Sequence, residues 1–248
     1  MLDQTELTIT SHHNAKLKEI RKLRQRRRWR DRAARFVAEG EDLLAAADAA
    51  GWEPVERYCA AGSGLPGVEV EPELLASASG LGSGTRALAV YEERWATAPA
   101  GPLSVYLHGV HDPGNVGAVL RSAQAFGASS VAFGPGTADP FGPKAVRASM
   151  GAVFAVPLAR ADDIAALPGT TVALAAGRGR PLMELSRSGA TPRPQNVTVL
   201  IGAEREGLPE EVIEAAVHVA HIPIETESLN AAMAATIALY ELTRIPPA

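Results

Sequence analysis

From Leu103 onward the chain repeats one rhythm: a short apolar or β-branched run, then a longer stretch whose apolar residues recur at helical spacing. The runs fall at 103–107, 130–133, 153–156, 171–175, 197–201 and 217–222. Strands covered on both faces read as near-continuous apolar segments, and a helix between two of them returns the chain to start the next strand in the same direction. The pattern predicts an α/β fold with a parallel sheet covered by helices. In such sheets ligands bind beyond the carboxyl ends of the strands, so chemistry is expected in the loops that follow these runs.

The first 95 residues are different. Lys16, Lys18, Arg21, Lys22, Arg24, Arg26, Arg27, Arg28, Arg30, Arg32 and Arg35 crowd one segment, opposed there only by Glu19 and Asp31. The chain as a whole has a net charge of -4, so its acidic surplus lies elsewhere. So dense a cluster can neutralise phosphates and release their counterions. Arginine outnumbers lysine, and Trp29 and Phe36 stand within or beside the run, which favours RNA over a plain solvated helix face. Lys16, Arg24, Arg26, Arg27 and Arg28 are the expected RNA contacts. With a second helix near 40–50 and short apolar strands at 55–60 and 86–91, residues 1–95 read as a small α/β domain. Residues 96–102, within a small-residue, proline-bearing stretch, read as a linker, and 103–248 as the larger domain.

Several classes are excluded. No stretch approaches the roughly 18 uninterrupted apolar residues of a membrane span, and residues 1–14 are polar, so neither a span nor an export signal is expected. Cys59 is the single cysteine, which rules out an internal disulfide and a cysteine-built metal site and fits a cytoplasmic protein. His12, His13, His108, His111, His218 and His221 lack metal-ligand spacing with a third ligand, so no metal is expected. Gly62-Ser63-Gly64-Leu65-Pro66-Gly67 spells a dinucleotide-binding fingerprint, but Pro66 and the extended Val68-Glu69-Val70 stand where the fingerprint must open a helix.

Three loops remain. His111-Asp112-Pro113-Gly114-Asn115 leads into a helix that Asn115 could cap, with Val116, Val119, Leu120, Ala123 and Gly127 as its inner stripe and Arg121 turned away from it. Gly202-Ala203-Glu204-Arg205-Glu206-Gly207-Leu208 leaves an apolar run, and Glu204 puts a carboxylate where the crevice should be. Ile222 to Asn230 precedes a helix running to about Arg244, ended by Pro246 and Pro247; Ser228 fits its N-cap, and Asn230 would sit at its positive end.

In this order and spacing the loops resemble the three motifs of the SpoU (TrmH-like) branch of the SPOUT RNA methyltransferases. The stretch Pro143-Lys144-Ala145-Val146-Arg147-Ala148-Ser149-Met150-Gly151 is also similar to that family. Ser11 to Asn14, the basic run and Phe36-Val37-Ala38-Glu39-Gly40 resemble the small substrate-binding domain of its ribosomal-RNA-directed members. The resemblance implies a SPOUT domain with a deep trefoil knot, an N-terminal domain like ribosomal protein L30e, an obligate homodimer, and S-adenosylmethionine as cofactor. It implies 2'-O-ribose methylation of RNA, ribosomal before transfer RNA. Asn115, Arg121, Glu204, Ser228 and Asn230 would form the catalytic group, with Gly202, Ile222 and Leu229 against the cofactor. Arginine stays protonated under nearly all conditions, so Arg121 is expected to hold a phosphate or a developing alkoxide rather than take a proton. The rivals are a non-catalytic RNA-binding or ribosome-assembly protein on the same fold, and a nicotinamide-dependent oxidoreductase.

Overall fold

The structure is a computed structural model that describes residues 8–80, 84–187 and 196–243. Its N-terminal part runs α1 (Ala15–Gln25), α2 (Arg27–Ala33), β1 (Arg35–Glu39), α3 (Glu41–Ala49), β2 (Glu56–Ala60), β3 (Val68–Val70), α4 (Pro72–Ala78) and β4 (Ala87–Glu92). The strands form a sheet in the order β1-β4-β2-β3, antiparallel except for the β2–β3 pair. Asn14 caps α1, its side chain accepting from the Lys16 amide at 2.9 Å, and Leu17, Ile20 and Leu23 bury one face of that helix against the sheet. The basic segment is two helices rather than one. Arg26 takes an extended conformation (φ -138, ψ 121) that breaks the hydrogen-bond ladder, and α2 stops at Ala34 in the left-handed region (φ 50). Gly62 to Gly67 is a turn between β2 and β3, with a strand and not a helix after it.

The second part contains β5 (Leu103–Leu107), α5 (Pro113–Ala125), β6 (Ser130–Phe133), α6 (Pro143–Ser149), α7 (Ala152–Ala155), β7 (Leu158–Arg160) and β8 (Thr170–Leu174). It continues with β9 (Arg180–Pro181), α8 (Leu182–Arg187), β10 (Val197–Ile201), α9 (Glu210–Ala215), β11 (His218–His221) and α10 (Ala231–Thr243). Seven strands make one sheet in the order β7-β6-β5-β10-β8-β11-β9, every pair parallel. The apolar run at 153–156 is a correction: it is mostly the short helix α7, and the strand follows at β7. A short buried run looks alike in either state by periodicity alone. What decides is Gly151, in the left-handed region (φ 94), where an added Cβ would lie 2.5 Å from the Ala46 side chain. The last helix ends its described span at Thr243; Arg244, Pro246 and Pro247 lie outside the described residues.

One core runs through both sheets. Phe36 of β1 stacks on Phe141 with ring centroids 4.7 Å apart and lies 5.9 Å from Phe154, while Trp52 donates its indole N–H to the Phe154 carbonyl at 2.8 Å. Beside this cluster the buried Arg30 donates to Asp139 at 2.8 Å and to the Leu23 carbonyl at 2.7 Å. The segment between the sheets is fastened too. Trp95 packs edge-on against Phe133 and Phe141, and Ala96 forms a parallel bridge with Ala159 of β7. Among the described residues no helix is long and apolar enough to cross a membrane, and no group of three or more His, Cys, Asp or Glu could hold a metal ion.

Candidate active site

All three loops singled out in the sequence emerge at the same end of the seven-stranded sheet. The first follows β5 and turns through Gly109 (φ 67) into α5. Here the expected cap is corrected: Asp112, not Asn115, caps the helix, accepting from the Gly114 amide at 2.6 Å, with Pro113 at the first helical position. Asp112 also accepts from Lys144 at 2.9 Å; that bond first, and the Gly114 amide second, hold its carboxyl below the ordinary value. Val116, Val119, Leu120 and Ala123 form the buried stripe, whereas Gly127 lies past the end of the helix and is exposed. Gly117 is where α5 crosses α6, and a Cβ there would lie 2.4 Å from the Ala145 carbonyl.

The second loop is a miniature hairpin. Ala203 and Gly207 exchange backbone hydrogen bonds of 3.0 Å each, so Glu204, Arg205 and Glu206 form its tip. Gly202 lies under the returning strand, where a Cβ would come within 2.1 Å of the Gly207 carbonyl carbon; only glycine fits. In the third loop the cap is again not the expected one. Asn230 caps α10 in place of Ser228, its side-chain oxygen accepting from the Ala232 amide at 2.9 Å and the Met233 amide at 3.2 Å.

That cap orients a chain of side chains. With its oxygen held by the helix amides, Asn230 turns its NH₂ outward and donates to the Asn115 side-chain oxygen at 3.0 Å. Asn115 then has only its own NH₂ to offer, and it donates to Glu204 at 2.6 Å. Asn230, Asn115 and Glu204, from three different loops, thus form one directed relay. Glu204 retains its second carboxylate oxygen for a further donor.

Beside the relay is a cleft of about 380 Å³, bounded by the 202–208 hairpin, the loop before α10 and the loop after β8. Gly202, Ile222 and Leu229 line it, as do Glu204 and Ser228; Asn115, Asn230 and Arg121 do not. Its floor is apolar (Leu174, Ile201, Ile213) and its rim carries both signs of charge (Glu206 and Glu227, Arg178 and Arg205). On the other side of the same hairpin is a second hollow of about 350 Å³, lined by His108, His111, Pro135 and Gly136. Partial burial lowers the pKa of His108 below 6.5, and its Nδ1 shares a hydrogen bond of 3.1 Å with the Tyr106 hydroxyl. The loop after β8 was missed in the sequence. Its Ala175, Ala176 and Arg178 line the cleft, and Arg178 forms a two-pronged ion pair with Glu210 at 2.7 and 2.8 Å. Gly177 and Gly179 flanking Arg178 were the available signal, since two glycines at the end of a strand permit close backbone approach.

Arg121 stands outside the cleft of its own chain, exposed on α5 next to Ser122, which bonds Thr236 of α10 at 2.6 Å. Two expected RNA contacts are also turned elsewhere. Arg24 is paired with the buried Glu39 and donates to the Ala78 carbonyl at 2.7 Å, because a carboxylate cut off from water needs a counter-charge beside it. Lys16 reaches Glu56. Arg26, Arg27 and Arg28 are exposed.

Residues 102–240 match the SpoU rRNA Methylase family, and residues 14–93 match the MRM3-like substrate binding domain. The chain belongs to the SpoU family of RNA methyltransferases. An uncharacterized tRNA/rRNA methyltransferase of Mycobacterium tuberculosis is 35% identical over 199 residues, covering 74% of this chain and 68% of that protein. The 23S rRNA (guanosine(2553)-2'-O)-methyltransferase RlmP of Bacillus subtilis is 31% identical over 159 residues, 61% of this chain and 60% of that one. The AdoMet-bound rRNA methyltransferase of Sinorhizobium meliloti superimposes with a TM-score of 0.83 at 31% identity, covering 96% of this chain and 97% of that chain. In this SpoU protein the relay and the cleft occupy the three motifs that carried the resemblance.

Proposed function

We propose that this SpoU protein transfers a methyl group from S-adenosylmethionine to a ribose 2'-hydroxyl of a structured RNA, with ribosomal RNA as the substrate class. The observation that carries the reading is the Asn230–Asn115–Glu204 relay, poised at a hairpin with a hollow on each side. S-adenosylmethionine supplies the electrophilic methyl as a sulfonium. The cleft suits it: Gly202 admits no Cβ, the floor is apolar, and the lining offers both carboxylates (Glu204, Glu206, Glu227) and guanidinium groups (Arg178, Arg205) to a ligand that carries charges of both signs. Gly202, Ile222 and Leu229 would hold it, with Ser228 at the rim. The hollow of His108 and His111 gives the acceptor nucleotide a place across the hairpin.

Methyl transfer needs the acceptor oxygen in line and a way for its proton to leave. Asn115 and Asn230 fix the position of the Glu204 carboxylate, and its second oxygen can accept the proton that the hydroxyl loses as its oxygen gains the methyl group. Arg121, permanently charged, serves a phosphate of the RNA rather than the proton.

The reading includes a homodimer and the trefoil knot. Met233 and Tyr240 of α10 are exposed, at 61% and 51%, and Tyr240 packs against Phe126 beside the helix that carries Arg121. An apolar face of this kind is what a second copy would cover, bringing Arg121 to the RNA at the interface. RlmP of Bacillus subtilis, named as a 2'-O-methyltransferase of 23S rRNA, supports both ribose and ribosomal RNA.

The test is transfer of labelled methyl from S-adenosylmethionine into total RNA from cells lacking the gene, with ribosomal and transfer fractions separated before nucleoside analysis. A 2'-O-methylnucleoside in the ribosomal fraction supports the reading; a methylated base or a transfer-RNA product overturns its finer part. RNA binding without transfer would leave a non-catalytic assembly protein.

A further inference from the structure

The fold divides the basic segment into two populations. Arg24 and Arg30 point inward to Glu39 and Asp139; Lys16, Arg27 and Arg35 meet Glu56, Asp31 and Glu19; Arg21 bonds the His12 carbonyl and Ser77. Lys18, Lys22, Arg26, Arg28 and Arg32 face no carboxylate among the described residues. Three of these five make cation–π contacts with one aromatic ring: Lys22 Nζ lies over Trp29 at 4.7 Å from its centroid, Arg28 Cζ at 5.8 Å and Arg32 Cζ at 5.9 Å.

Trp29 is the one of the chain's three tryptophans that serves no core. Trp52 is buried in the core shared by both sheets and Trp95 packs against it, whereas Trp29 belongs to none of the hydrophobic clusters of the described residues. Its surroundings join a π surface to unneutralised positive charge, the two features that a nucleobase and its flanking phosphates engage together.

We infer that Trp29 is a stacking platform for an unpaired base of the RNA substrate, with Lys22, Arg28 and Arg32 holding the adjacent phosphates. The inference rests on the RNA reading above and narrows it: the N-terminal domain grips a single-stranded or looped element rather than the side of a duplex, whose bases are already stacked on one another. The platform is fixed relative to the catalytic end of the sheet, because the next residue, Arg30, is anchored to Asp139 in the segment between β6 and α6. An acidic peptide would satisfy the cations but has no use for the ring, so the geometry favours nucleic acid.

The test follows tryptophan emission of the full chain titrated with a short unstructured RNA, a blunt-ended RNA duplex of equal length, and heparin as a polyanion without bases. The single strand should quench a component that Trp29→Phe removes and Trp95→Phe retains. Trp29→Ala should weaken single-strand binding about five- to a hundred-fold, and Trp29→Phe by much less. Lys22→Ser, Arg28→Ser and Arg32→Ser should each lower the log–log salt slope by about 0.7. Unchanged affinity in Trp29→Ala, tighter binding of the duplex without quenching, or equal quenching by heparin would each overturn the platform. The rise in Tm with S-adenosylmethionine is measured on the same variants. Loss of that rise in every preparation would remove the methyltransferase reading and leave the platform result in place, whereas a normal rise with unchanged RNA affinity removes the platform alone.

Discussion

The Asn115 carboxamide donates to Glu204 at 2.6 Å across 89 positions of sequence, and its own oxygen accepts from Asn230 across 115. The Asn230 amide cannot flip without breaking the cap of α10, and the Asn115 amide cannot flip without losing both of its bonds, so the carboxylate is positioned by a helix end. Asn115→Ala breaks this at its centre. Methyl transfer should fall by at least about a hundred-fold, the scale on which one preorganised polar group counts in a reaction centre. Stability should drop by only about 1–2 kcal/mol, so the Tm shift stays within a few degrees. A large Tm loss with proportionate activity loss would show Asn115 to be structural.

Gly202→Ala tests the hairpin. A methyl group 2.1 Å from the Gly207 carbonyl carbon forces the 202–208 turn apart. The expected cost is about 1–3 kcal/mol of stability, as for other overpacked sites. S-adenosylmethionine binding, measured by calorimetry, should weaken more than RNA binding, because the hairpin walls the cleft. Equal weakening of both would contradict that placement.

Arg30 and Asp139 are both nearly buried, with side-chain exposures of 7% and 10%. Arg30→Met alone strands a carboxylate in the interior and should cost about 3–5 kcal/mol. Combining it with Asp139→Leu should recover most of that loss. Thermal melts of the two single variants and the double variant decide the matter: additive losses would show that the pair is not coupled.

Most of the fold could be read from alternation, because strands buried on both faces leave an unmistakable apolar record. What escaped were facts about neighbours. The run at 153–156 is mostly a helix, entered through Gly151, which in the left-handed region lies against Ala46, a residue more than a hundred positions away in the chain. Asn115 and Ser228 were read as caps because their residue types suit that position, yet Asp112 and Asn230 hold it. The error hid the more informative fact that Asn115 and Asn230 face each other. Arg24 looked like its basic neighbours, and only the buried Glu39 distinguishes it.

His108 predicts a pH effect of definite sign. Burial depresses its folded-state pKa below 6.5, so between those values the unfolded chain binds a proton the folded chain refuses. Its contribution to stability is complete above 6.5 and is lost as the pH falls through the lower folded value. Wild type should therefore lose more Tm than His108→Gln on moving from neutral to mildly acidic buffer, and parallel curves would refute the assignment.

The aromatic cluster of Phe36, Trp52, Phe141 and Phe154 also constrains how such a chain can change over time. With one interior common to both halves, the N-terminal half cannot be traded for another like a detachable adaptor, since any newcomer must present rings that fit Phe141 and Phe154. Surface positions such as Arg26, Arg28 and Arg32, which stand outside that interior, are the ones free to vary without disturbing the join between the halves.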